Sequence, residues 1–360
     1  AISTVAKAAR DIVAAGGVQA VGDPRNEIVM LVADLSCTKE RYKLPVYGHK
    51  HAPPPTFKYR ICNMLPEKCM FKMSGRESCK CAPGKGGGCE GDGHHCHCIT
   101  ETIRVAREAW KRRVKHRPKA EQPGREYFYG PDDKKLHNPI YTQDGRLSDF
   151  AIRHSEQILE CSETSCVCGS YCTNRVVGSS DLGKRCSYCF PLEVRCVGVD
   201  VGYGLFNGTQ LVPRGSLVLE HVGRVRKKKE VDRDRIKAHS LGQPFTDKYL
   251  FDFRATGGDA LMSDSHNEGN CARFLNHSCD PNLCVRYVRI NTEDDRVPRV
   301  IFFARRDIAA GEELTFNYTG MEEEKAPDIV GEICRCRKCT EQREAAPSPP
   351  LPGGDDSDTD

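Results

Sequence analysis

Cysteine is the residue through which this chain can do the most chemistry: 21 of its 360 residues, an odd number, set in short runs. Cys79/Cys81, Cys96/Cys98, Cys166/Cys168 and Cys334/Cys336 each leave one residue between two thiols. Two such cysteines are poorly placed to bridge one another, and as disulfides every pair would need a distant partner. A tetrahedral metal ion takes both, because thiolates converge on it readily. The opening AISTVAKAARDIVAAGG lacks the charged start, apolar run and cleavage site of a secretory signal. Thiols and metal thiolates are therefore the expected forms, and zinc is the expected metal.

The longest cysteine series is Cys79, Cys81, Cys89, Cys96, Cys98, then a 62-residue gap, then Cys161, Cys166, Cys168 and Cys172. Three separate tetrahedral ions need twelve bonds, which nine thiolates cannot supply singly. They can if three of them bridge, giving a triangular three-zinc cluster. The other arrangement is a set of four-cysteine fingers that draws on Cys62, Cys69, Cys186 and Cys189. Either site has no open coordination position and is structural, contributing folding free energy where the apolar core is thin. Cys334, Cys336 and Cys339 form a last trio, one ligand short of a tetrahedral site.

These residues need elements to hold them. Residues 1–36 read as an Ala-rich helix followed by a strand-like run from Ile28 to Val32, and residues 45–60 as a Pro-rich linker. Ile99, Ile103, Ala106 and Trp110 share one face of a helix predicted over 99–115. From residue 192 the texture becomes short alternating runs: LEVRCVGVD, TQLV, SLVLEHVG, KYLFDF, LCVRYVRI, RVIFFARR and ELTFNY. Gly, Asn and Asp punctuate them, which argues for a mostly β domain of small sheets. The tail AAPSPPLPGGDDSDTD has no apolar face and is expected to be disordered. No window holds eighteen uninterrupted apolar residues, so no membrane span is expected.

The cysteine spacing, followed by Cys172-x-Asn174-Arg175-Val-Val, resembles the pre-SET motif of SET-domain lysine methyltransferases. It is most similar to the suppressor-of-variegation class, which modifies lysine 9 of histone H3. The likeness continues in order over about residues 60–340: LEVRC…GYGLF, SLVLEHVG, DKYLFDF, GNCARFLNHSCDPNL, GEELTFNY and CRCRKC. It implies a mainly β SET-domain fold of several small sheets with a pseudoknot, preceded by a zinc-cluster pre-SET region and followed by a post-SET zinc site. The corresponding divisions are 1–60, an N-terminal helix, strand and linker; 61–175, the pre-SET region; 190–320, the SET domain; 330–342, the post-SET motif; and 343–360, an acidic tail.

The resemblance also implies roles. The methyl donor would be S-adenosylmethionine, held by Gly202, Tyr203, Gly204, Arg273, Phe274, Asn276 and His277. Alone, the Gly-Tyr-Gly run would be a hairpin turn and Asn-His a capping pair. Tyr318 would be the catalytic tyrosine, acting by orientation and electrostatics rather than as a base, and Tyr249 would hydrogen-bond the substrate amine. Phe251 adds to the aromatic wall, and Phe316 takes the position that sets how many methyl groups fit, implying di- or trimethylation. The nine-cysteine series would hold three zinc ions, and Cys279 would join Cys334, Cys336 and Cys339 on a fourth. Thirteen thiolates on four dications carry five net negative charges, which takes the formal +4 to about −1, so nucleic-acid binding would rest on local patches. KRRVKHRPK (111–119) and RVRKKK (224–229) are candidates for non-specific DNA contact.

Three features depart from the family pattern: C-x2-C replaces C-x4-C at Cys336/Cys339, no aromatic follows Cys339, and Glu220-His221-Val-Gly-Arg224 replaces Glu-Tyr-x-Gly-Glu. The partner implied is the histone H3 tail on the nucleosome, and the location is nuclear chromatin. The alternatives are a methyltransferase of the lysine 36 class and a catalytically silent zinc-containing scaffold.

Overall fold

The computed structural model describes residues 28–50, 53–65, 96–114, 140–163, 166, 168, 172–198, 202–245, 247, 249–253, 260–290, 296–318, 334 and 336–344. The helix expected before residue 28, the acidic tail, and Cys69, Cys79, Cys81 and Cys89 lie outside these residues. In chain order the strands are β1 (Ile28–Val32), β2 (Val46–His49), β3 (Lys58–Tyr59), β4 (Gln157–Glu160), β5 (Leu192–Gly198), β6 (Gly202–Asn207), β7 (Leu217–His221), β8 (Gly223–Lys227), β9 (Leu250–Asp252), β10 (Leu261–Gly269), β11 (Asn276–His277), β12 (Leu283–Ile290), β13 (Arg299–Ala304) and β14 (Thr315–Phe316). The helices are α1 (His97–Val114), α2 (Asp149–His154), α3 (Val176–Ser179), α4 (Lys228–Ser240) and α5 (Arg337–Glu344), with one 3-10 turn at Cys271–Phe274. None is long and apolar enough to cross a membrane.

Short apolar runs broken by turn residues cannot make one wide sheet, and the strands divide among several small ones. The first has the order β1-β2-β5-β6, the second β3-β10-β8 with β9 beside β10, and the third β4-β12-β13-β7. A parallel two-stranded pair, β11-β14, completes the set. This is the mainly β architecture expected.

The third sheet explains why LCVRYVRI and RVIFFA are nearly continuous in apolar residues. Successive side chains of a strand point to opposite faces, and here both faces are buried. Val300, Phe302 and Ala304 join Leu283, Val285 and Tyr287 in one core. Ile301 and Phe303 join Cys284, Ile99, Ile140, Ile152, Ile158 and the buried cysteines in the other. β13 is thus a wall between the two cores, the second of which holds the buried cysteines. β4, from the cysteine-rich side, pairs in parallel with β12 from Tyr287↔Gln157 to Ile290↔Glu160. The buried Arg286 reaches the same way, donating to the carbonyls of Ala151 and Ile152 at the C-terminal end of α2, where a cation suits the helix dipole. The Glu160 carboxylate accepts from Tyr141 Oη at 2.7 Å and from the amides of Val176, Val177 and Gly178 at 3.1, 2.8 and 2.7 Å. It thereby caps α3.

Two local readings change and two elements are new. The stretch 45–60 is not a linker throughout: β2 pairs in parallel with β5, and β3 with β10. TQLV forms only an isolated bridge, Val212 with Ile308. α4 and β10 had given no sequence signal, for physical reasons. KKEVDRDRIKAHS buries only Val231, so it has no apolar stripe, and LMSDSHNEG fills buried positions with Ser263 and Ser265.

Glu220 on β7 and Arg299 on β13 form a buried ion pair, and Arg299 also donates to the carbonyls of Leu182 and Val177. Removing one member of such a pair strands the other charge. Arg299→Met should cost about 3 kcal/mol in urea denaturation, and Glu220→Leu in the same chain should recover much of it.

Candidate active site and thiol clusters

The sulfurs of Cys279, Cys334, Cys336 and Cys339 all lie within 4.8 Å of one another. Cys279 Sγ is 3.8 Å from Cys334 Sγ and 3.6 Å from Cys339 Sγ. Four thiolates on a tetrahedral zinc with bonds of about 2.3 Å sit about 3.8 Å apart, so the set fits. Burial and the surrounding thiols push Cys279 far above the usual thiol range, a conflict that a bound dication removes. The short C-x2-C spacing is met by the start of α5, where the amide of Thr340 returns to the Cys336 carbonyl at 3.0 Å.

Two more sets lie among the cysteines that precede the SET-like strands in the chain. Cys96, Cys98 and Cys161 are mutually within 4.8 Å, and so are Cys161, Cys166 and Cys172. Cys161 belongs to both, the place a bridging thiolate would take in a multinuclear cluster, and Cys96 Sγ lies 3.6 Å from it. Asn174 Nδ2 donates to the Leu159 carbonyl at 3.0 Å and lies 3.7 Å from Cys161 Sγ. Cys168 is buried nearby but in neither set.

Several of the residues expected to hold a methyl donor converge on Glu313. Gly202 opens β6 with φ +85°, and a Cβ on Gly204 would stand 2.6 Å from Glu313 Oε1, so both positions need glycine. Asn276 Nδ2 donates to the same Glu313 oxygen at 2.8 Å and lies 3.4 Å from the Tyr203 carbonyl. The amide of Leu314 donates to Leu205 O at 2.7 Å. Glycine strand, Asn-His segment and GEELTFNY segment therefore meet at one carboxylate, Glu313, which burial holds above its ordinary range. The Arg273 guanidinium lies 4.6 Å from the Tyr249 ring centroid and 5.7 Å from that of Phe274.

Aromatic rings gather around Phe316. Phe316 is stacked on Phe251 with centroids 5.6 Å apart, edge-on to Phe302 at 5.1 Å, and 4.9 Å from Tyr318. Tyr318 is 39% exposed and its hydroxyl donates to Leu275 O at 2.8 Å. Burial of the phenol, then Tyr249 and Glu313, push it up to about 12, so it stays protonated at neutral pH. β11 and β14 pair in parallel, Asn276 with Thr315 and His277 with Phe316. The amide of Tyr318 donates to His277 Nδ1 at 3.2 Å, so the ring proton falls on Nε2, which is 3.3 Å from Cys279 Sγ. One imidazole thus joins the tyrosine backbone to the C-terminal thiol set.

Three residues of this neighbourhood were not read from sequence. Glu313 and Phe302 lay unmarked inside recognised runs. His221 was noted only as a departure; it is 1% exposed, its ring lies 4.4 Å from Phe251, and neither nitrogen has a partner among the described residues. Burial pulls it down to about 3.

β11 and β14 pair in parallel, with thiol sets before and after them in the chain, and the stretch that contains both is similar to a known domain. Residues 202–319 match the SET domain. Human histone-lysine N-methyltransferase EHMT1 is 35% identical over 199 residues, covering 55% of this chain and 13% of that protein. Mouse histone-lysine N-methyltransferase SUV39H2 is 38% identical over 177 residues, covering 48% of this chain and 33% of that protein. The chain thus spans a third or less of these curated relatives. Among solved structures, KRYPTONITE in complex with mCHH DNA, H3(1-15) peptide and SAH superposes with a TM-score of 0.53 at 24% identity, covering 83% of this chain and 50% of that one.

Two outcomes follow. Elemental analysis of the purified chain should find four zinc ions, and Cys279→Ser should find three. For His221, the folded state binds its proton far more weakly than the unfolded state, whose value is about 6.5. Its contribution is present above pH 6.5 and is lost as pH falls toward 3. Between pH 7 and pH 5.5, His221→Phe should lose about 1 kcal/mol less stability in urea than the parent chain.

Proposed function

We propose that this chain is a protein-lysine methyltransferase that moves methyl groups from S-adenosylmethionine to a histone lysine, lysine 9 of H3, as far as the di- or trimethyl state. The observation that carries the proposal is the β11-β14 joint. It sets Asn276 and His277 beside Phe316 and Tyr318, with the glycine strand on one side and four thiols on the other.

S-adenosylmethionine, when bound, supplies an electrophilic methyl group on a sulfonium centre. Gly202 and Gly204 let β6 come close to it, Asn276 and Glu313 fix the cradle, and Arg273 offers a cation for its carboxylate. A lysine amine begins near pKa 10.4 and has almost no free lone pair at pH 7. Phe251, Phe316 and the Tyr318 ring exclude water from it, and desolvation beside a cation favours the neutral amine. Tyr318 does no base work, because its phenol stays protonated. With its proton committed to Leu275 O, its oxygen presents lone pairs toward a polarised methyl group. Tyr249 hydrogen-bonds the amine. The same rings hold a methylated product by cation–π attraction. The thiolate sites close around zinc and take no part in the chemistry.

The substrate tail enters as an added strand, with side-chain pockets reading its sequence, and the setting is nuclear chromatin. KRYPTONITE's complex with an H3 peptide and SAH supports this reading. DNA readout by residues 224–229 is not part of it. Arg224, Arg226 and Lys228 already face Glu268, Asp234, Asp264 and Asp252.

Methyl transfer to H3 peptides with single lysine substitutions, read by mass spectrometry, tests the proposal, which fails if the lysine 9 substitution leaves product unchanged. Phe316→Tyr should stall the product at monomethyl, and Tyr318→Phe should lower kcat by about 100-fold.

A further inference from the structure

Arg273 is poorly compensated for a guanidinium in its position. Burial lowers its pKa. Nη2 donates to the His266 carbonyl at 3.1 Å, Nε is buried without a partner, and no carboxylate among the described residues pairs with it. A desolvated cation without an anion is costly. What holds it is a pair of aromatic rings, Tyr249 at 4.6 Å, whose hydroxyl also favours the cation, and Phe57 at 4.2 Å. The shorter of those contacts comes from residue 57, far outside the SET domain match at 202–319.

Phe57 is not a loose neighbour. Its ring meets Phe274 edge-on, with centroids 5.9 Å apart, and Tyr59 at the same distance. On its N-terminal side, the Tyr203 hydroxyl donates to Pro53 O at 3.0 Å. On its C-terminal side, β3 lies along β10 at Glu268 and Gly269, and the Arg60 amide donates to Gly269 O at 2.7 Å. Arg60 also forms an ion pair with Glu268 at 2.8 Å. The segment Pro53–Arg60 is therefore laced to the strand that leads into the Cys271–Phe274 turn, and it touches Tyr203, Arg273 and Phe274 together.

We infer that the Pro53–Tyr59 strap is part of the methyl-donor site and that Phe57 is a positioning residue, holding the Arg273 guanidinium against its face so that the unpartnered Nε can take the carboxylate of the donor. The inference rests on the donor reading proposed above and deepens it. A cation clamped by two rings loses less conformational freedom when an anion arrives, so the clamp favours carboxylate-bearing ligands in particular.

The test is calorimetric and uses the zinc-loaded full chain. S-adenosylhomocysteine carries the carboxylate; 5′-methylthioadenosine has the same nucleoside and sulfur without it. Phe57→Leu keeps apolar bulk and removes the ring face. It should weaken S-adenosylhomocysteine by about tenfold while 5′-methylthioadenosine stays within about twofold, and Phe57→Tyr should restore the parent value. Equal weakening of both ligands, or of neither, overturns the inference. Thermal unfolding of each variant accompanies the titrations. If Phe57→Leu melts early, Phe57→Met and Phe57→Tyr decide the matter by the same ratio of affinities. A parent chain that binds neither ligand refutes the donor reading itself, and this inference with it; a parent chain that binds both, with a ratio Phe57→Leu leaves unchanged, refutes only the strap.

Discussion

His277 stands where the two kinds of order in this molecule meet. Its Nδ1 accepts the Tyr318 amide and its Nε2 faces the Cys279 sulfur, so the position of Tyr318 is tied to the geometry of a metal-binding set. Neither half of that link is strong alone. A single hydrogen bond nets about 1 kcal/mol, and a two-residue parallel strand pair is far too short to persist unaided. Four thiolates on one ion supply what those elements lack, because the binding free energy of a structural zinc is folding free energy. The pairing of β11 and β14 is held from outside, by chemistry at Cys279, more than by its own ladder.

The N-terminal cysteine sets follow the same logic on a larger scale. Residues 96–98 and 161–172 converge on shared sulfur positions with Cys161 in common. Loop closure between them is an entropic cost that shared metal ligation offsets alongside apolar burial. Once closed, the segment contributes β4 to the third sheet and Ile99, Ile152 and Ile158 to the second core. Metal and apolar burial are successive contributions to one structure.

Much of this was legible in the sequence because its signals were dense. Cysteine spacing exposed the thiol sets, and the runs around Asn276-His277 and Phe316-Tyr318 placed the site on neighbouring segments. Leu192–Gly198, Leu283–Ile290 and Arg299–Ala304 announced themselves through alternating or continuous apolar character. What escaped did so for identifiable reasons. α4 has a charged sequence whose buried face is one valine, and β10 satisfies buried positions with serine, which no hydrophobic period can show. Prolines before Phe57 signal a linker locally, yet the strap earns its order from partners more than 140 residues away, Tyr203 among them. His221 could be seen as unusual but not as buried without partners, since that is a property of its surroundings.

β13 has a last consequence. Because Val300 and Phe302 belong to one core while Ile301 and Phe303 belong to the other, neither core can melt without stripping one face of the same strand. The two cores are therefore coupled through one strand. Amide protons along β12 and β13, covered on both faces, would be among the slowest to exchange.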